Sequence, residues 1–221
     1  LWQPGSDGAA SMTQTPGDHL CFHMLHDQEQ HRVTYLLADL QAREAVLVDP
    51  HASDLPVLRA MLDEHRVGLR WLLRTHEHDD VMPGEHKALA RMDVPIVQHR
   101  VPAPASRLDF GREAIQVMAT PGHTDHCLSF LWRDRLFCGD LLSLQGCGWR
   151  TDPQCPEAMW NSVVNKVFRL PSETLLFASH GEPGRIVSSV YEQRRNHPWF
   201  ASASRDQFLA AVPWAALPSF A

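Results

Sequence analysis

Residues 32–38 and 44–48 are short runs rich in leucine and β-branched side chains, and the polar stretch 39–43 separates them. Such a pair predicts a β-hairpin. From 53 to 65, Leu55, Leu58, Met61 and Leu62 recur at helical spacing behind Ser53, an N-cap residue type, and Pro56 is compatible because it lies in the first turn. Gly68 follows that helix, and 69–74 reads as a buried strand that runs straight into a histidine-rich loop. Beyond the loop the pattern predicts a helix over 85–92, a strand over 94–98, a proline-rich connector at 102–104, and strands at 114–119, 127–132 and 135–138. A helix is expected over 156–168, with Pro156 in its first turn and Met159, Val163, Val167 and Leu170 marking its apolar side. The last expected strand is 174–178, and helices follow near 188–196 and 205–211. No repeat at a period of roughly 20 to 50 residues interrupts this order.

At 221 residues the chain is long enough for one large, well-cored domain. We expect a catalytic domain over 19–221, preceded over 1–18 by a flexible or tag-derived arm that shows no periodicity and starts without Met. The content of 44% hydrophobic and 21% charged residues is that of a globular protein and excludes a disordered chain. A net charge of -6 with scattered arginines offers no footprint for nucleic acid. No apolar run reaches the roughly 18 to 20 residues of a membrane span, and no basic, then apolar, leader opens the chain, so no membrane partner and a cytoplasmic location are expected. The five cysteines form no C-x-x-C pair, which fits free thiols in a reducing compartment.

Polar clusters sit where the expected strands stop. Thr75-His76-Glu77-His78-Asp79-Asp80-Val81 crowds several potential ligands into one short loop, and imidazole and carboxylate suit zinc or iron. A solvated loop in a chain with 14 histidines would look the same in isolation. Three further clusters change that weighing: Pro121-Gly122-His123-Thr124, where a Pro-Gly turn presents His123; Cys138-Gly139-Asp140, where Gly139 lets the backbone turn; and Ser179-His180-Gly181. Each has a plain alternative, a turn cap or a surface carboxylate. Four separated strand ends that each supply His or Asp are nevertheless the layout of a site built from loops on a rigid sheet.

The order H-x-H-x-D, P-G-H-T, G-D and a late His, with Val48-Asp49-Pro50 after the second strand, resembles the metallo-β-lactamase superfamily. Within it, Thr34 to Asp39, Glu44 to Pro50 and Gly146-Cys147-Gly148-Trp149-Arg150-Thr151-Asp152 are similar to the persulfide (sulfur) dioxygenases, and the likeness covers roughly residues 20 to 198. The fold so implied is α/β, an αββα sandwich of two facing sheets flanked by helices. Dinuclear hydrolases of the superfamily carry H-x-H-x-D-H, but Val81 stands where the final His would be, and an aliphatic group cannot ligate a second metal.

The resemblance therefore implies one Fe(II) per chain, with Zn as a substitute, held by His76, His123 and Asp140 as a facial triad of two histidines and one carboxylate. His78 and Asp80 fall to the shell behind the ligands, and Asp80 and His180 are the residues expected to orient ligands or substrate in catalysis. The implied partners are glutathione persulfide, or a similar small persulfide, and O₂, with sulfite and the thiol as products; a homodimer is compatible. Arg150 is expected to bind a substrate carboxylate. Trp149 is an extra residue before that arginine, and either packs or lies against the substrate. A second departure, Gly181 to Arg185 after His180, leaves the thiol open. The competing activity is glyoxalase II-like thiolester hydrolysis.

Overall fold

The computed structural model describes residues 19–76, 84–100, 106–142, 156–181, 186–201 and 204–211. Strands β1 (Leu20–Asp27), β2 (Arg32–Asp39), β3 (Glu44–Val48), β4 (Gly68–Leu73) and β5 (Ile96–Val97) form one sheet in that spatial order. Strands β6 (Arg107–Phe110), β7 (Glu113–Ala119), β8 (Leu128–Trp132), β9 (Arg135–Phe137), β10 (Leu175–Phe177) and β11 (Val187–Ser189) form the other, in the order 11-10-9-8-7-6. Helices α1 (Leu55–His65) and α2 (Glu85–Ala90) connect the parallel pairs β3–β4 and β4–β5, and α3 (Pro156–Asn165) lies between the parallel β9 and β10. Parallel neighbours need such a crossover, because a tight turn reverses the chain. Helices α4 (Val190–Asn196) and α5 (Arg205–Ala211) complete the fold.

Three apolar layers show why these sequences choose these elements. Val33, Tyr35, Leu37, Val46, Val48 and Leu73 of the first sheet meet Ile115, Val117, Phe130, Trp132, Phe137 and Phe177 of the second. The alternate residues Leu36, Ala38, Ala45, Leu47 and Leu72 turn to the outer face, where Leu55, Leu58 and Leu62 of α1 cover them. Leu136 and Leu176 likewise meet Met159 and Val163 of α3, with Val190, Phe200 and Phe208. The central strands are thus buried on both faces, which is why they read as continuous apolar runs. This is the expected αββα sandwich.

The expected hairpin is β2–β3. Three strands were not anticipated. In β1, His23, His26 and Asp27 break the apolar run, yet all eight residues pair with β2. β6 is a short strand with alternating exposed and buried positions. β11 occupies the start of the segment expected as helix from 188, and α4 begins only at Val190, where the Ser189 side chain accepts from the Glu192 N–H. Ser53 does not cap α1: a 3-10 turn over Ala52–Asp54 precedes that helix, and Ser53 Oγ donates to Asp54 instead.

Candidate metal centre

Strands β7, β9 and β10 run in one direction in their sheet, as β3 and β4 do in the other, so their C-terminal ends gather along one edge of the sandwich. The Leu128 N–H donates to Thr75 O at 2.7 Å, and the Val33 N–H to Ser179 O at 2.9 Å, tying the two sheets together at that edge. Asp49 follows β3, His76 follows β4, His123 follows β7, Asp140 follows β9 and His180 follows β10. Open α/β sheets place ligands at the carboxyl ends of their strands for this reason.

Asp140 is the centre of the cluster. Both of its carboxylate oxygens lie 2.8 Å from His180 Nδ1, and Oδ2 lies 3.3 Å from His76 Nε2 and 4.0 Å from His123 Nε2. The rings of His76 and His123 meet edge to face, 4.8 Å apart between centroids. His76, His123 and Asp140 are buried, whereas the His180 side chain keeps 30% exposure. Burial opposes ionisation of Asp140, yet His180 and His76 outweigh it and hold the carboxyl well below the usual carboxylate range. For His180 burial favours the neutral ring, and Asp140 reverses that preference and raises its pKa.

Behind the ligands lies a network that fixes the His76 ring. Asp49 accepts the Thr75 N–H at 2.7 Å and the Thr75 hydroxyl at 2.8 Å, and it also accepts the Ser179 hydroxyl. The single Thr75 proton is committed to that carboxylate. With its proton on Asp49, Thr75 Oγ1 can accept from His76 Nδ1, which lies 2.9 Å away. In that tautomer Nε2, the atom that faces Asp140, would be free to ligate a metal ion. Second-shell partners of this kind set the tautomer of a metal-binding histidine.

Two glycines make the approach possible. Gly139 has φ of +58°, and a Cβ there would lie 2.7 Å from Thr75 Cβ and 3.2 Å from His76 Nδ1. Gly122 packs on α3, where a Cβ would lie 2.5 Å from Met159 Cα, so the loop that carries His123 can sit flat against the helix. Cys127 lies 3.9 Å from His123 Nδ1, and burial pushes its thiol up to about 11, so the sulfur stays protonated near neutral pH.

Of the residues singled out in the sequence, His76, His123, Asp140 and His180 are thus brought together. His78, Asp80, Val81, Trp149 and Arg150 lie outside the described residues. Asp49, Thr75 and Ser179 were not assigned roles there. Their signal was present: Asp49 is a carboxylate at the end of an apolar strand, and Thr75 and Ser179 each directly precede a singled-out histidine. The donor set suits a divalent ion, since one carboxylate and imidazole nitrogens converge. The ligand atoms of His76, Asp140 and His180 all lie within 4.8 Å of one another, with His123 Nε2 bordering the same carboxylate. Among the described residues, no helix is long and apolar enough to cross a membrane, and Cys21, Cys127 and Cys138 are free thiols.

No protein-family model matches the chain. The mitochondrial persulfide dioxygenase ETHE1 of Homo sapiens is 35% identical over 179 residues, covering 75% of this chain and 70% of the human protein. The hydroxyacylglutathione hydrolase of Hahella chejuensis is 36% identical over 152 residues, but covers 62% of this chain and 57% of that enzyme. The crystal structure of ETHE1 from Myxococcus xanthus superposes with a TM-score of 0.76 at 29% identity, covering 90% of this chain and 92% of the other. Fold, strand-end cluster and these relatives agree: the chain is an enzyme that has the metallo-β-lactamase fold and belongs to the persulfide dioxygenase family.

Proposed function

We propose that the protein oxidises glutathione persulfide, or a similar small persulfide, with O₂, using one Fe(II) held by His76, His123 and Asp140. The observation that carries this reading is the convergence of the two buried Nε2 atoms on the Asp140 carboxylate, with His180 bonded to the same carboxylate from a more open side. Two histidines and one carboxylate with open positions make up the facial triad of non-haem iron oxygenases. Ferrous iron, when bound, supplies the redox chemistry that activates O₂.

The balanced reaction is RSSH + O₂ + H₂O → RSH + SO₃²⁻ + 2H⁺. The outer sulfur loses four electrons to O₂, and the S–S bond breaks as the thiol leaves. The protein's own tasks are placement and charge. Thr75 and Asp49 hold His76 with Nε2 forward. His180 holds Asp140 in orientation through its Nδ1. His78 and Asp80 are assigned to orienting the ligands, and Arg150 to a carboxylate of the thiol, with Trp149 either packing or lying against the substrate.

Thiolester hydrolysis of the hydroxyacylglutathione hydrolase type is the rival. It is disfavoured by Val81, which occupies the place of a second-metal histidine. Anaerobic purification followed by metal analysis, then oxygen uptake with glutathione persulfide, separates the two. About one iron per chain, oxygen consumption and sulfite are expected; two zinc ions with thiolester hydrolysis and no uptake would overturn the proposal.

A further inference from the structure

A second group of ligand-type side chains lies away from the strand-end cluster. Cys21 and His23 stand two apart on β1, where side chains at that spacing share a face. Cys21 belongs to the layer in which α1 covers the outer face of the first sheet. His65 is the last residue of α1 and comes down onto the pair. His23 Nε2 and His65 Nε2 are 3.1 Å apart, Cys21 Sγ is 3.7 Å from His65 Nε2, and the three ligand atoms all lie within 4.8 Å of one another.

We infer that Cys21, His23 and His65 form a second metal site, for a thiophilic divalent ion such as Zn²⁺, that ties the edge strand β1 to the end of α1. The edges of a tetrahedral zinc site set the comparison: bond lengths of about 2.0 to 2.1 Å to nitrogen and 2.3 Å to sulfur give N···N of about 3.3 Å and S···N of about 3.6 Å. The observed 3.1 and 3.7 Å lie within a few tenths of an ångström of those values. Simple packing does not require two imidazoles to turn the same nitrogen toward each other beside a thiol. Without an ion, His65 Nε2 alone must serve both His23 Nε2 and the Cys21 thiol, with one hydrogen bond at 3.1 Å and a long one to sulfur at 3.7 Å.

The ligand chemistry points the same way. One thiolate and two imidazoles select zinc-like ions over calcium or magnesium. The ion sits at the C-terminal end of an eleven-residue helix, where the backbone carbonyls favour positive charge. All three residues are half-buried, so the site is shielded yet reachable, and a water or a fourth group completes the tetrahedron. On binding, the Cys21 S–H bond breaks, the S–metal bond forms and the proton goes to solvent.

The test uses Co²⁺ as a spectroscopic stand-in for Zn²⁺, added to the full chain already loaded with iron. One further equivalent is expected to bind and to show a thiolate-to-cobalt charge-transfer band. Cys21→Ser should abolish the band, His65→Asn should lose that equivalent, and both should keep oxygen uptake. His76→Ala should keep the band, because that substitution touches only the strand-end cluster. Zn²⁺ should raise the Tm of the iron-loaded protein and leave that of His65→Asn unchanged, with far-ultraviolet circular dichroism confirming that the variant is folded. Failure to bind a second equivalent, or a band that survives Cys21→Ser, would overturn the inference.

Discussion

Thr75 gives both its backbone N–H and its hydroxyl to the carboxylate of Asp49, at 2.7 and 2.8 Å. That pair decides which nitrogen of His76 faces the metal position, because a hydroxyl already donating to Asp49 can only accept from Nδ1. Thr75→Val keeps the shape and removes the acceptor. We expect iron affinity to fall by about 10- to 100-fold with the fold intact. A titration of the apoprotein with Fe(II) under anaerobic conditions checks this, and an unchanged affinity would show that the Thr75 contact does not set the ring.

Gly139→Ala should lose both stability and metal. The left-handed backbone alone costs a Cβ-bearing residue roughly 1–2 kcal/mol, and here the new methyl also meets Thr75 Cβ at 2.7 Å. Gly84→Ala is the control: its φ is also positive, at +99°, but a Cβ there meets nothing among the described residues within 4 Å. Denaturant midpoints and iron content of the two variants should separate backbone strain from collision. Equal iron content in both would mean that the Thr75 side chain can move aside.

Acid should destabilise the protein through His197. Its Nδ1 accepts the Trp199 N–H at 3.2 Å, its ring lies 4.8 Å from that of Phe200, and burial lowers its pKa from 6.5 to about 4. Between those two values the unfolded chain carries a proton that the folded one refuses. The contribution is thus complete above pH 6.5 and is lost as pH falls through 4, about 3 kcal/mol in all at 1.36 kcal/mol per unit. Chemical denaturation of the protein and of His197→Phe across that window should show a steeper loss in the former; parallel curves would rule out His197 as the source.

Arg150→Ala should raise KM for glutathione persulfide more than it lowers kcat. A contact to a remote carboxylate is about equally strong in ground and transition states, so its loss appears mainly in binding. Oxygen-uptake kinetics that do not change would mean that Trp149 has displaced the arginine from the substrate.

Restoring the absent histidine by Val81→His should not create an efficient hydrolase. A second ion needs ligands already oriented by their own partners, and lacking one such partner typically costs about 10- to 100-fold. Dioxygenase activity should survive, since His76, His123 and Asp140 are untouched. Zinc content and thiolester hydrolysis measured on both forms decide it, and a large gain of hydrolysis would favour the hydrolase reading.

The chain's linear pattern was enough for the central strands and the αββα class. Val33 to Ala38 and Ala45 to Val48 are buried on both faces, so their apolar runs need no partner to be recognised. Residue type and order also marked His76, His123, Asp140 and His180, because each sits where an apolar run stops. What the linear pattern left open is contact across the fold. β1 mixes polar and apolar residues because it is an edge strand half-buried on both sides, and only pairing with β2 defines it. The commitment of the Thr75 proton to Asp49 depends on two strand ends that are 26 residues apart. His23 and His65 are separated by 42 residues and meet only because α1 folds back over the sheet that β1 borders. Periodicity records which face a residue buries; it carries no information on which distant residue will share that face, and that choice is made by packing.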